Sequence, residues 1–175
     1  MRLSELAGLI PDEVGETLAD YGSRVPSDQA IVEIGSYKGK STCYLASRAV
    51  AHVWAIDPWD LPANVDGRFG FRSAFPEFQA QVKTMGYEDR ITPIQGYGER
   101  VGWDGPAVGL LYVDGDHSAR AVYADVKAWL PRMAKGGTII CDDLDTRKNP
   151  GVRQALDRLK VDFTVEAERL AIWTL

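Results

Sequence analysis

Five short runs, each closing on glycine or an acidic residue and each followed by a segment of different period, constrain this chain more than any other feature. They are AIVEI (30–34), HVWAI (52–56), RITPIQG (90–96), VGLLYV (108–113) and TIIC (138–141). The runs have strand length and are rich in β-branched residues. Several are apolar throughout rather than at alternate positions, as in strands buried on both faces. Between them lie helix-like segments: 41–50, 74–85 with Pro76 in its first turn, and 118–133, whose apolar stripe is Val122, Val126, Trp129, Leu130 and Met133. Gly136-Gly137 ends that stripe, and Asn149-Pro150 opens a further helix to about Leu159. The chain closes on DFTVEAERLAIWTL, two β-like runs around Glu166-Ala167-Glu168 that read as a hairpin with a tight turn.

Strands separated by helices pair in parallel through crossovers. The expected architecture is therefore α/β: a Rossmann-like, doubly wound, mostly parallel seven-stranded sheet with a C-terminal antiparallel hairpin. With 175 residues, 45% hydrophobic and 26% charged, the chain suits one domain over 1–175, a helical cover at 1–28 and an α/β core at 29–175. A net charge of −5 argues against a general nucleic-acid binder. No apolar run has membrane-spanning length, and acidic residues follow the N-terminus too soon for a signal peptide. Cys43 and Cys141 form no motif and fall in apolar contexts, which suggests buried, reduced thiols and a cytoplasmic location. Formation of a homo-oligomer is left open by the sequence.

Ligands of such sheets bind beyond the carboxyl ends of the strands, where strand order reverses. Polar residues gather there: Glu33 and Gly35 after the first strand, Asp57 after the second, Gly96 after the third, Asp114 after the fourth, Asp142 and Asp143 after the fifth. The loop EIGSYKGKS (33–41) is not a phosphate cradle. Three residues separate Gly35 from Gly39, one short of G-x-x-x-x-G-K-[ST]. Glu33 also stands where the dinucleotide fingerprint G-x-G-x-x-G begins, and its charge repels a pyrophosphate. An acidic first loop and a ribose acceptor at Asp57 suit an adenosine without a phosphate chain. The bland readings are a strand-end Glu33 paired with Lys38 or Lys40, and Asp57 as a turn residue before Pro58.

This loop resembles the first motif of class I S-adenosylmethionine (SAM)-dependent methyltransferases, and within them the metal-dependent O-methyltransferases, catechol-type and sugar- or antibiotic-tailoring. The resemblance implies that Glu33, Gly35, Tyr37, Gly39 and Ser41 surround the methionine half of SAM. It also implies that Asp57 holds the ribose and that Gly96, Tyr97 and Gly98 lie beside the adenine. Asp114, Asp142 and Asp143 emerge from adjacent strand ends, roughly 5 Å apart. Carboxylates so close protonate, recruit Lys or Arg, or bind a divalent cation. The nearest cations in sequence are Arg120, Arg147 and Lys148, so a hard cation is the favoured resolution, and the family holds Mg²⁺ at the matching positions. In VDGDHS (113–118), Asp116 and His117 are the candidate bases; the catechol type has lysine at the place of His117, whereas the tailoring type shares Asp-Gly-Asp-His. His52 reads as structural. The aperiodic stretch 58–78 reads as a binding lid, with Trp59, Arg68 and Arg72 as candidate acceptor contacts. The expected activity is Mg²⁺-assisted methyl transfer from SAM to a hydroxyl of a small molecule such as a sugar or secondary metabolite. The alternatives are a non-catalytic nucleoside-binding module, a metal-independent methyltransferase and a nucleotide hydrolase using Lys40.

Overall fold

The structure is a computed structural model that describes residues 1–59, 73–144 and 150–175. Its sheet has seven strands in the order β3-β2-β1-β4-β5-β7-β6. These are β1 (Ala30–Ile34), β2 (His52–Asp57), β3 (Ile91–Gln95), β4 (Val108–Val113), β5 (Met133–Cys141), β6 (Thr164–Glu166) and β7 (Leu170–Thr174). β1 to β5 run parallel, whereas β7 is antiparallel to both β5 and β6. The expected doubly wound sheet with a terminal hairpin is the fold observed.

The helices are α1 (Asp12–Ser23), α2 (Lys40–Arg48), α3 (Phe75–Met85), α4 (Ala119–Trp129) and α5 (Gly151–Leu159). Successive strand residues point to opposite faces, and each face is covered. Ile31, Leu110, Tyr112 and Ile140 join α1, α2 and α3 in one core. Val32, Ile34, Leu111, Val113, Ile139 and Cys141 join α4 and α5 in the other. This explains why β1 and β4, at the centre, are buried at every position.

Two differences from the sequence reading have physical causes. α4 stops at Trp129 rather than Met133, because Pro131 admits only a short 3₁₀ turn over Leu130–Arg132. Met133 then opens β5 opposite Val108, with a bulge between Val108 and Leu110. The N-terminal segment, expected to cover the pocket, instead lays α1 along α2, where Gly15 sits against the Tyr44 ring and Gly22 against the Leu45 carbonyl. It meets the first loop at Lys40, which Gly8 packs against and Asp12 pairs with at 2.9 Å, and Gln81 holds Ala7 beside it. Asn149 and the lid residues Arg68 and Arg72 lie outside the described residues.

Candidate functional site

Strand order reverses between β1 and β4, which places the β1–α2 loop, the β4–α4 loop and the β5 exit on one edge. Asp114 N donates to the Ile34 carbonyl at 2.8 Å and Asp142 N to that of Val113 at 3.0 Å. These bonds carry the strand register beyond the strand ends. Gly35 shows how tightly the first two loops meet. Its φ is +93°, and a Cβ there would lie 2.3 Å from the Asp114 carbonyl oxygen.

Glu33, on β1, is fully buried. Its Oε2 accepts from the Thr42 hydroxyl. Burial raises its pKa above the ordinary carboxylate range, against the opposing effect of the Ser41, Thr42 and Ser36 hydroxyls. Among the described residues, Glu33 Oε1 and Ser36 Oγ complete no hydrogen bond, and a buried acceptor left so costs about 1–3 kcal/mol. The lysines that offered a bland partner are engaged elsewhere, Lys38 with Glu77 and Lys40 with Asp12. Lys40 is therefore no free phosphate ligand.

Tyr37 and Gly39 turn the loop in the left-handed region, at φ 45° and 89°. Ser41 lies in the first turn of α2. Asp57 closes the loop from β2: Oδ2 accepts from the Tyr37 amide at 2.9 Å and Oδ1 from the Trp59 amide at 2.7 Å. Burial raises the Asp57 pKa in spite of these donors. Trp59, read from the sequence as an acceptor contact, is buried instead; its indole donates to the Tyr37 carbonyl and its ring packs on Phe75 and Phe78.

Gly96 donates to the Asp57 carbonyl at 3.0 Å, which sets the 96–100 loop beside this crevice. Tyr97 is exposed, with Arg100 over its ring. Gly98 is buried, and its carbonyl accepts from the Trp129 indole at 3.0 Å. Beneath it lies Asp125 of α4, which the sequence reading did not single out. Its Oδ1 would be 2.6 Å from a Cβ on Gly98 and completes no hydrogen bond among the described residues, while the backbone of Glu99 opposes the rise of its pKa. Burial, helped by the charges of Glu99 and Asp116, pushes the Asp125 pKa up to about 7.

The carboxylates of Asp114, Asp142 and Asp143 do come together. Tyr112 Oη, fully buried, lies 2.8 Å from Asp142 Oδ2 and 3.1 Å from Asp114 Oδ2. Burial first, then the charges of Asp142, Asp143 and Glu33, drive the Asp114 pKa well upward. Asp143 adopts φ 57°, a conformation that aspartate tolerates better than most residues, and its amide donates to Asp142 Oδ1 at 2.6 Å. The surprise is Arg169, in the β6–β7 turn. Its Nε donates to Asp142 Oδ1 at 2.6 Å and its Nη2 to Asp143 Oδ1. His117 Nε2 stands 3.3 Å from Asp143 Oδ2 and 3.9 Å from Asp114 Oδ1. Asp116 is exposed at the rim, with Oδ1 accepting from the Ser118 amide at 2.8 Å.

A family profile described as a methyltransferase domain matches residues 32–144, from β1 through the carboxylate cluster. The chain belongs to that family. The fold agrees: the O-methyltransferase NovP superposes with a TM-score of 0.74 at 15% identity, over 93% of this chain and 79% of that one. CalS11, a TDP-rhamnose 3′-O-methyltransferase of calicheamicin biosynthesis, gives 0.70 at 17% identity, over 92% of this chain and 77% of that one. Among sequence relatives, an uncharacterized protein of Acanthamoeba polyphaga mimivirus is 24% identical over 144 residues, 78% of this chain. The chain spans 61% of that relative's length.

The β1 edge offers a cationic ligand a place to bind. A buried carboxylate oxygen without a partner suits an ammonium group, and the glycine loop lets a ligand approach the backbone. The cluster does not offer a metal the same welcome. Both oxygens of Asp142 and one of Asp143 already receive protein donors. Among the described residues, no group of three or more His, Cys, Asp or Glu side chains is arranged to hold an ion. The cation that meets these carboxylates is not one of those close in sequence. Arg169 lies 26 residues from Asp143, and only the hairpin brings it back. Its sole sequence signal is a basic residue at the tip of a hairpin that returns to the ligand edge.

Proposed function

We propose that this methyltransferase domain moves a methyl group from SAM to a hydroxyl of a small molecule. The observation that carries the reading is Glu33, buried near the end of β1 with Oε1 unpartnered among the described residues, just before the loop that Asp57 ties down at the reversal of strand order. Glu33 and Ser36 would hold the ammonium end of SAM, Asp57 the ribose hydroxyls, and the 96–98 loop the adenine. SAM supplies a methyl group on a positively charged sulfur. The acceptor oxygen displaces that sulfur in line: a C–O bond forms, the C–S bond breaks and the hydroxyl proton leaves.

Asp116, at the rim and flanked by His117, is the base that takes the proton. The chain's other task is alignment, which accounts for much of the rate of such a displacement. The polar rim, with Asp116 exposed, suits a polyhydroxylated acceptor of the sugar or secondary-metabolite class. The net negative charge disfavours a nucleic-acid substrate, and buried free thiols suit a reducing, cytoplasmic setting. Mg²⁺ assistance forms no part of the reading, because Arg169 sits on the oxygens an ion would take.

Calorimetry tests the reading. S-adenosylhomocysteine should bind saturably and ATP should not, whereas tight ATP binding would restore the nucleotide-hydrolase alternative. D116N should keep S-adenosylhomocysteine binding and lose methyl transfer to sugar acceptors. If wild type transfers no methyl group to a panel of hydroxylated acceptors, the nucleoside-binding module is the better description.

A further inference from the structure

We propose that Arg169 is the resident cation of the carboxylate cluster, standing where a divalent ion would bind, so that the site works without a metal. This deepens the methyltransferase reading and rests on it only for the position of the acceptor. Carboxylate oxygens of the cluster are already occupied by protein donors.

A magnesium site needs about six oxygens in near-octahedral array at roughly 2.0–2.1 Å. Asp142 would have to be one of the ligands, since it lies at the centre of the cluster. Its Oδ1 accepts from Arg169 Nε at 2.6 Å and from the Asp143 amide at 2.6 Å, and its Oδ2 accepts from the Tyr112 hydroxyl at 2.8 Å. Asp143 gives Oδ1 to Arg169 Nη2, and its Oδ2 lies 3.3 Å from His117. An ion bridging the two Oδ1 atoms would occupy the space of the guanidinium and repel its charge. Tyr112, a hydroxyl donor, turns the remaining side of Asp142 toward Asp114.

Arg169 is anchored as well as attracted. Its carbonyl accepts from the Leu144 amide at 2.9 Å, just past β5, and its own amide closes the hairpin turn onto Glu166 at 3.2 Å. The backbone thus holds the side chain over the strand ends whether or not the carboxylates are charged. A planar guanidinium suits the task because it grips two carboxylates at once with fixed geometry. Its side chain keeps 25% of its surface open, which leaves a face of the fork for an acceptor oxygen. Arg169 is thus a positioning residue, doing by hydrogen bonds what an ion does elsewhere by coordination.

The experiment titrates Mn²⁺ into EDTA-treated full-length protein and reads bound ion by electron paramagnetic resonance, in wild type and R169Q. Wild type should take up no Mn²⁺ up to millimolar concentration, and R169Q should bind it at least tenfold more tightly. Saturable Mn²⁺ binding by wild type that D142N abolishes would overturn the inference. So would R169Q binding no better than wild type, because Arg169 would then not be what keeps metal out. Should R169Q fail to fold, R169K gives the second measurement. Lysine engages its partners as a point charge rather than a fork, so tighter Mn²⁺ uptake than wild type is expected, and its absence counts against the proposal. S-adenosylhomocysteine calorimetry on the same samples keeps the two ideas apart: its failure in wild type sinks the methyltransferase reading and leaves the metal result intact.

Discussion

Asp125 lies buried beneath the 96–100 loop, with Gly98 packed against Oδ1 and that oxygen without a hydrogen-bond partner among the described residues. Replacing it by asparagine keeps the shape of the side chain and removes the charge. In the unfolded chain the carboxyl titrates near 3.8, and in the native protein near about 7. Below both values each state holds the proton and the group makes no difference. Between them the native state binds one proton more than the unfolded state, so stability falls as pH rises, by about 1.4 kcal/mol per pH unit. The loss is complete once the pH passes about 7. A difference of about three units corresponds to on the order of 4 kcal/mol. D125N escapes that loss.

Melting temperatures followed by intrinsic fluorescence should coincide for the two proteins near about pH 4. They should diverge steadily above it, with D125N higher by on the order of 10 °C at about pH 8, at about 2–4 °C per kcal/mol for a domain of this size. Parallel curves across that range, or a variant less stable at alkaline pH, would refute the reasoning.

Other outcomes follow from the same geometry. D57N places an amide NH₂ against one of two backbone donors, from Tyr37 or Trp59. Calorimetry should show S-adenosylhomocysteine binding weakened by roughly tenfold or more, the size of one lost buried hydrogen bond. G35A combines φ +93° with a Cβ 2.3 Å from the Asp114 carbonyl, and urea unfolding should show a loss of about 3 kcal/mol or more. Glu168, exposed in the β6–β7 turn at φ 58°, is the opposite case. E168G should gain about 0.5–1 kcal/mol in the same assay and leave Arg169 seated.

The sheet was legible because its strands carry their own signal. β1 and β4 are β-branched, apolar runs bounded by glycine or aspartate, and such runs have no stable place except inside a sheet. The first loop was legible because glycine spacing and Glu33 exclude phosphate chemistry before any coordinates are known. α4 was read too long because its apolar stripe continues through Leu130 and Met133, and the stripe masked Pro131. Trp59 was misjudged because an aromatic residue after a strand reads alike whether it meets a ligand or packs on Phe75 and Phe78. Asp125 escaped notice because a lone aspartate inside a helix carries no pattern.

The order of elements, the reversal point and the row of polar residues along one edge are all encoded locally, in period and spacing. Charge balance on that edge is not. Asp114, Asp142 and Asp143 announce a local excess of negative charge, but what neutralises it depends on which cation the folded chain carries into reach. β7 runs antiparallel to β5, so the turn preceding it returns to the ligand edge and delivers Arg169 to carboxylates far away in sequence. Coulomb attraction acts over ångströms of space and is blind to residue number, which is why a reading along the chain found the anions and missed their partner.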